Sequence, residues 1–136
     1  MEREEMKKGI TFGTFDLFHT GHVLMLEEGK TVCDHLTVCI QRDPNFDRPD
    51  KNKPIQTIVE RQIQVKACVH VDDVIVYESE EDVMNILKGL HWDVRIIGEE
   101  YREAPFTGRE DTLDSCYFNK RGHNFSSSEL RKRVEN

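Results

Sequence analysis

Short apolar, β-branched runs alternate along this chain with helical segments that carry their own start signals. That alternation narrows the fold more than any other feature. The runs are Lys7–Phe12, Leu36–Ile40, Val74–Tyr77, Asp93–Ile97 and Ser115–Phe118. Val23–Cys33 reads as a helix between the first two. Thr57-x-x-Glu60 is a capping box that opens a helix to about His70, with Val59, Ile63 and Ala67 recurring at i, i+4 spacing. Ser79 caps another, whose first turn Glu80-Glu81-Asp82 suits the helix dipole and whose Val83, Ile86, Leu87 and Leu90 make one stripe. Ser126-x-x-Glu129 opens a last helix through Val134, and the polar, poorly periodic 99–114 stretch predicts a loop holding at most a short helix. Strands that alternate with helices become parallel strands joined by right-handed crossovers. The expectation is one α/β domain over residues 1–136, an open parallel sheet of about five strands flanked by helices. Such sheets bind ligands beyond the carboxyl ends of their strands.

Composition removes several classes of function. A chain of 136 residues with a net charge of −7 lacks the basic field of a polyanion binder, so nucleic acid is not an expected partner. An anionic ligand must instead be met by local cations. No apolar run approaches a membrane span, and the charged Met1–Glu5 start does not resemble a secretory leader, so a cytoplasmic, non-membrane protein is expected. Cys33, Cys39, Cys68 and Cys116 have neither CxxC nor CxxH spacing, which argues against zinc and predicts reduced thiols.

Between the first strand and the first helix lies Gly13-Thr14-Phe15-Asp16-Leu17-Phe18-His19-Thr20-Gly21-His22. Unpaired N–H groups and the dipole make such a helix start an anion site. Gly13 and Gly21 let backbone approach a ligand closely. The glycine pattern is neither the dinucleotide fingerprint nor a P-loop; the histidine pair is the informative part. A second candidate is Arg121-Gly122-His123-Asn124-Phe125-Ser126-Ser127-Ser128, an arginine followed by hydroxyls at a helix start, which reads as a phosphate site or as a plain N-cap before a solvated basic helix. A third is the proline-rich loop 41–54 with Lys51 and Lys53.

Gly13-Thr14-Phe15-Asp16 followed by His19-x-Gly21-His22 resembles the signature of the cytidylyltransferase-type nucleotidyltransferases. In length and layout the chain is most similar to the short bacterial glycerol-3-phosphate cytidylyltransferases, from Lys7 to Val134, with further likeness at Arg61, Val71–Ile75 and Trp92–Gly98. The resemblance implies a Rossmann-like enzyme moving CMP from CTP to a small phosphate ester, glycerol 3-phosphate by analogy, with release of pyrophosphate. It implies catalytic roles for His19, His22, Lys51 and Arg121. It assigns nucleotide binding to Gly13, Thr14, Phe15, Asp16, Thr20, Gly21, Lys53, Glu99, Ser126, Ser127 and Ser128, and acceptor binding to Arg61, which otherwise reads as an exposed helix salt bridge. Mg²⁺ is expected with the triphosphate, without a dedicated protein ligand cluster, and a homodimer is an expectation from the resemblance alone. Gly122 stands where the family has a threonine, the hydroxyls are all serine, and the acceptor-side lysine, tryptophan and second arginine fall on Val83, Glu80 and Val69. ATP therefore stays open as the nucleotide, as does a catalytically inactive nucleotide-binding module.

Overall fold

The computed structural model describes residues 6–120 and 125–135. Five strands, β1 (Lys8–Gly13), β2 (His35–Gln41), β3 (Asp73–Tyr77), β4 (Val94–Gly98) and β5 (Cys116–Asn119), form one sheet in the order β3-β2-β1-β4-β5. Every pairing is parallel, as the alternation predicts. The chain runs outward from β1 through β2 to β3, then crosses back to place β4 on the other side of β1. The switch point therefore lies between the carboxyl ends of β1 and β4, where open sheets form a crevice.

Two apolar clusters, one on each face, hold the sheet. Side chains alternate along each strand, so Leu36, Val38 and Ile40 of β2 and Val94 and Ile96 of β4 enter one cluster. That cluster packs under α1 (Thr20–Lys30) and α2 (Ile58–Lys66) through Leu26 and Val65. On the opposite face Ile10, Cys39 and Tyr77 meet Val83 and Leu87 of α3 (Glu80–Gly89).

The helix starts follow their local chemistry. Thr57 and Ser79 each form a reciprocal capping box, with Glu60 and Asp82 respectively. α1 begins a turn earlier than the apolar pattern suggests, because its N-cap is His19, a residue outside the usual Ser, Thr, Asp and Asn set. α2 ends at Lys66, short of His70. Its Val59–Ile63 stripe faces outward, the two residues being 59% and 65% exposed. The buried residues of α2 are Val65 and, against expectation, Arg61. The polar 99–114 stretch forms a 3-10 turn at Glu99–Tyr101 and the four-residue α4 (Arg109–Thr112). The last helix, α5, spans Ser127–Glu135, with the Ser126 hydroxyl accepting from the Glu129 N–H at 3.1 Å.

Candidate active site

The turn from β1 into α1 is strained, and it is held in that state by its neighbours. Phe15 and Leu17 have φ of 53° and 50°, a left-handed conformation unfavourable for bulky residues. Four hydrogen bonds with residues 55–61 hold them there. Asp16, 8% exposed, accepts from the N–H groups of Ile55 at 2.8 Å and Gln56 at 2.9 Å. The Gln56 side-chain oxygen accepts from the Leu17 N–H at 2.8 Å. Arg61 donates to the Thr14 carbonyl at 3.0 Å.

The turn ends in a capping box made of two histidines. His19 Nδ1 accepts from the Gly21 N–H at 2.9 Å, and His22 Nδ1 accepts from the His19 N–H at 3.2 Å. An imidazole whose Nδ1 is an acceptor carries its neutral-state proton on Nε2. The hydrogen bonds therefore assign both rings the Nε2–H tautomer, so the donor of each ring is its Nε2–H. The rings lie 4.0 Å apart between centroids. His22 stacks on Phe18 with 2° between planes and packs against Phe15. Burial in this aromatic slot, and then the nearness of His19, lower the His22 pKa to about 4 although Asp16 opposes the shift. At neutral pH His22 is an uncharged hydrogen-bond donor.

The start of α5 reaches this turn. His19, Thr20, Phe125, Ser126, Glu129, Leu130 and Arg133 line one small cleft. A Cβ on Gly21 would sit 2.8 Å from the Phe125 carbonyl oxygen, so glycine permits the close approach of the two segments. Arg131 of α5 also pairs with Asp16 at 3.3 Å. The structure thus gathers Thr14, Phe15, Asp16, His19, Thr20, Gly21, His22 and Ser126 around the turn, with Gly13 leading into it from β1. Ser128 is exposed on α5, and Ser127 opens that helix. Arg121 lies outside the described residues.

Two expectations need correction. Arg61 is neither an exposed salt bridge nor open to an acceptor. It is 2% exposed, and its guanidinium donates to the carbonyls of Gln56, Thr14, Gln41 and Arg42. Those carbonyls occupy four of the five N–H donors an arginine has. The Asp16 carboxylate is likewise occupied, by the N–H groups of Ile55 and Gln56 and by Arg131, so it shapes the turn rather than offering itself to a nucleotide. Lys51 and Lys53 are exposed, and their loop is tied toward α3: Asp47 accepts from the Glu80 N–H at 2.6 Å, and Arg48 pairs with Glu80 at 3.4 Å. Glu99 follows β4, exposed and 3.9 Å from Arg102.

Sequence reasoning missed Gln56, Arg131 and Arg95. A glutamine before a capping box and an arginine in a basic helix give no local sign of a partner 39 or 115 residues away. Arg95 breaks the apolar pattern of β4, which is a signal in itself. Its guanidinium lies 5.1 Å from the ring centres of both Phe12 and Phe106 and donates to the Thr107 carbonyl at 2.6 Å.

The histidine capping box stands at a helix start beside the switch point of a parallel sheet, the place where open α/β folds hold their ligands. The family follows from comparison: the cytidylyltransferase-like family model matches residues 10–133, and the chain belongs to that family, within the nucleotidyltransferase superfamily. It is 30% identical over 129 residues to glycerol-3-phosphate cytidylyltransferase of Bacillus subtilis (strain 168), covering 95% of this chain and 98% of that one. It is 39% identical over 93 residues to FAD synthase of Ferroglobus placidus, covering 68% of this chain and 59% of that protein. The fold matches the lipopolysaccharide core biosynthesis protein from Thermoplasma volcanium with a TM-score of 0.62 at 23% identity, over 96% of this chain and 88% of that one. Among the described residues no helix is long and apolar enough to cross a membrane.

Proposed function

We propose that the chain transfers CMP from CTP to a small phosphate ester, with glycerol 3-phosphate as the acceptor by analogy, and releases pyrophosphate. The observation that carries this reading is the histidine capping box. Backbone N–H groups occupy both Nδ1 atoms, which puts the donor of each ring on Nε2 at the helix start, where a triphosphate would meet it. In the reaction an acceptor phosphate oxygen bonds to the α-phosphorus as the bond from that phosphorus to the bridging oxygen of pyrophosphate breaks. A phosphate monoester is largely dianionic at neutral pH, its second pKa being about 6, so no general base is needed. Charge grows on the leaving pyrophosphate, and fixed donors that already face it require no reorganisation.

Lys51 and Lys53, Arg121 and the Ser126–Ser128 segment would add cationic and hydroxyl contacts to the phosphates, and Glu99 would lie on the nucleoside side. Thr14, Phe15 and Gly13 would offer backbone, with Thr20 and Gly21 framing the histidines. Mg²⁺ would screen the triphosphate, held by phosphate oxygens and water. No group of three or more His, Cys, Asp or Glu side chains that could hold a metal occurs among the described residues, so phosphate and water would supply most of its ligands.

A second reading uses ATP. FAD contains an adenylyl half, and the likeness to FAD synthase supports adenylyl transfer on the same site. Calorimetric titration of CTP and ATP in the presence of Mg²⁺ separates the two. CTP binding tenfold tighter, about 1.4 kcal/mol, together with pyrophosphate release on adding a phosphate ester, supports the first reading. Preference for ATP moves the assignment to the second, and binding of neither nucleotide, with or without acceptor, rejects both. Homodimerisation is part of the proposal; the outward Val59 and Ile63 of α2, with the exposed Ile55 just before it, support it, and sedimentation at micromolar concentration tests it.

A further inference from the structure

The segment that carries Lys51 and Lys53 leaves the sheet after Gln41 and returns at Gln56. Both of its ends meet on one side chain. Arg61 donates to the carbonyls of Gln41 at 2.6 Å and Arg42 at 2.5 Å where the segment departs, and to the Gln56 carbonyl at 3.2 Å where it returns. The same guanidinium donates to Thr14 in the histidine turn at 3.0 Å. The returning end is tied to that turn twice more, by Asp16 on the Ile55 and Gln56 N–H groups and by the Gln56 side chain on Leu17.

Between these ends the segment's own bonds are local or lead elsewhere. The Asn45 amide closes it on the carbonyls of Pro49 and Lys51, and Asp47 and Arg48 reach Glu80. The placement of Lys51 and Lys53 relative to His19 and His22 is therefore transmitted through the ends. Lys53 stands two residues from Ile55, a span of about 7 Å at most, and the Ile55 N–H is bonded to Asp16, three residues before His19. A guanidinium that is 2% exposed, with four of its five N–H donors on carbonyls, does not present itself to an acceptor phosphate.

We infer that Arg61, seconded by Asp16, is a positioning residue that sets the Lys51/Lys53 segment in fixed relation to the histidine turn and touches neither nucleotide nor acceptor. The inference rests on the nucleotidyl-transfer reading for its kinetic consequence, and on geometry alone for its structural one.

The two consequences are tested separately. In the kinetic arm, kcat and KM are measured for wild type, Lys51→Ala, Arg61→Lys and the double variant, with the preferred nucleotide and a phosphate-ester acceptor. Each single change is expected to lower kcat about tenfold or more, and the double variant to be no slower than the slower single, since a misplaced lysine has nothing left to lose. Multiplicative losses, or an Arg61→Lys effect confined to the acceptor KM, overturn the inference. The structural arm uses trypsin without any nucleotide. Arg61→Lys and Asp16→Asn are expected to speed cleavage of the Lys51–Asn52 bond severalfold, Arg48 and Lys53 being protected by the prolines that follow them, while cleavage after the exposed Arg102 keeps its rate. Unchanged cleavage after Lys51 in both variants overturns it. If Arg61→Lys fails to fold, Asp16→Asn decides the structural arm. A wild-type protein that turns over neither CTP nor ATP would reject the nucleotidyl-transfer reading and leave the trypsin result standing.

Discussion

The histidine turn and the lysine segment are neighbours in space, yet they are built on opposite principles. In the turn the conformation is fixed by bonds within the protein: Nδ1 atoms to backbone N–H, the Asp16 carboxylate to two further N–H groups and Arg131, and Phe15 and Leu17 in left-handed backbone. In the lysine segment the ends are fixed while Lys51 and Lys53 are exposed. Donors fixed before a ligand arrives lose little entropy or solvent when they engage it, whereas exposed lysines lose both. The comparison teaches that geometry in this site is invested in neutral donors and that charge is brought to it on longer arms.

The sharpest way to break the comparison is to remove one fixed donor. His22→Ala is expected to lower kcat about 100- to 1000-fold with nucleotide affinity changed far less. Single-turnover kinetics beside a binding titration measures both, and an equal loss for Lys51→Ala would erase the distinction between the two regions. Next comes pH. The unfolded chain protonates His22 near 6.5, whereas the folded chain resists protonation down to about 4. Because the folded pKa is the lower one, the unfolded state binds more protons in that window, and stability falls as pH drops from about 6.5 toward 4. The loss attributable to His22 is about 3 kcal/mol. Urea unfolding at pH 7 and pH 4.5 should show a shallower decline for His22→Asn than for wild type, and parallel declines would refute the buried neutral imidazole.

A smaller effect is expected where the turn meets α5. The added methyl of Gly21→Ala would lie 2.7 Å from His19 Cε1 and 2.8 Å from the Phe125 carbonyl oxygen, so one segment must move. Overpacking of this kind costs about 1–3 kcal/mol, to be read from thermal unfolding together with a fall in turnover; a variant of wild-type stability and rate would show that the contact is unimportant. The smallest change belongs to the lysine segment's tie to α3. Arg48 and Glu80 are partly exposed, at 47% and 34%, and Arg48→Ala should cost less than about 1 kcal/mol. A larger loss in urea unfolding would mean that the segment is held far more firmly than its exposure suggests.

Much of the site was legible before the structure because its signals are local. The alternation of strand and helix, the capping boxes at Thr57 and Ser79, and the histidine pair beside Gly21 all lie within a few residues of what they determine. The partners of Arg61 were not legible, since four carbonyls spread from Thr14 to Gln56 have no side-chain signature at all. Val59 and Ile63 marked the helix but not its orientation, for a related reason. Apolar spacing marks a helix face without saying which way it points, and here the inward face of α2 is given to Arg61 and Val65.

By itself, then, the sequence determined the α/β architecture and where the histidine turn lies, because hydrophobic periodicity and helix-start chemistry act over one or two turns of chain. Only the tertiary structure decided which nitrogen of each histidine is taken by backbone, that Asp16 and Arg61 brace the turn, and that α5 closes on Gly21. Those outcomes depend on backbone groups from distant segments meeting in space, and every residue carries the same backbone groups.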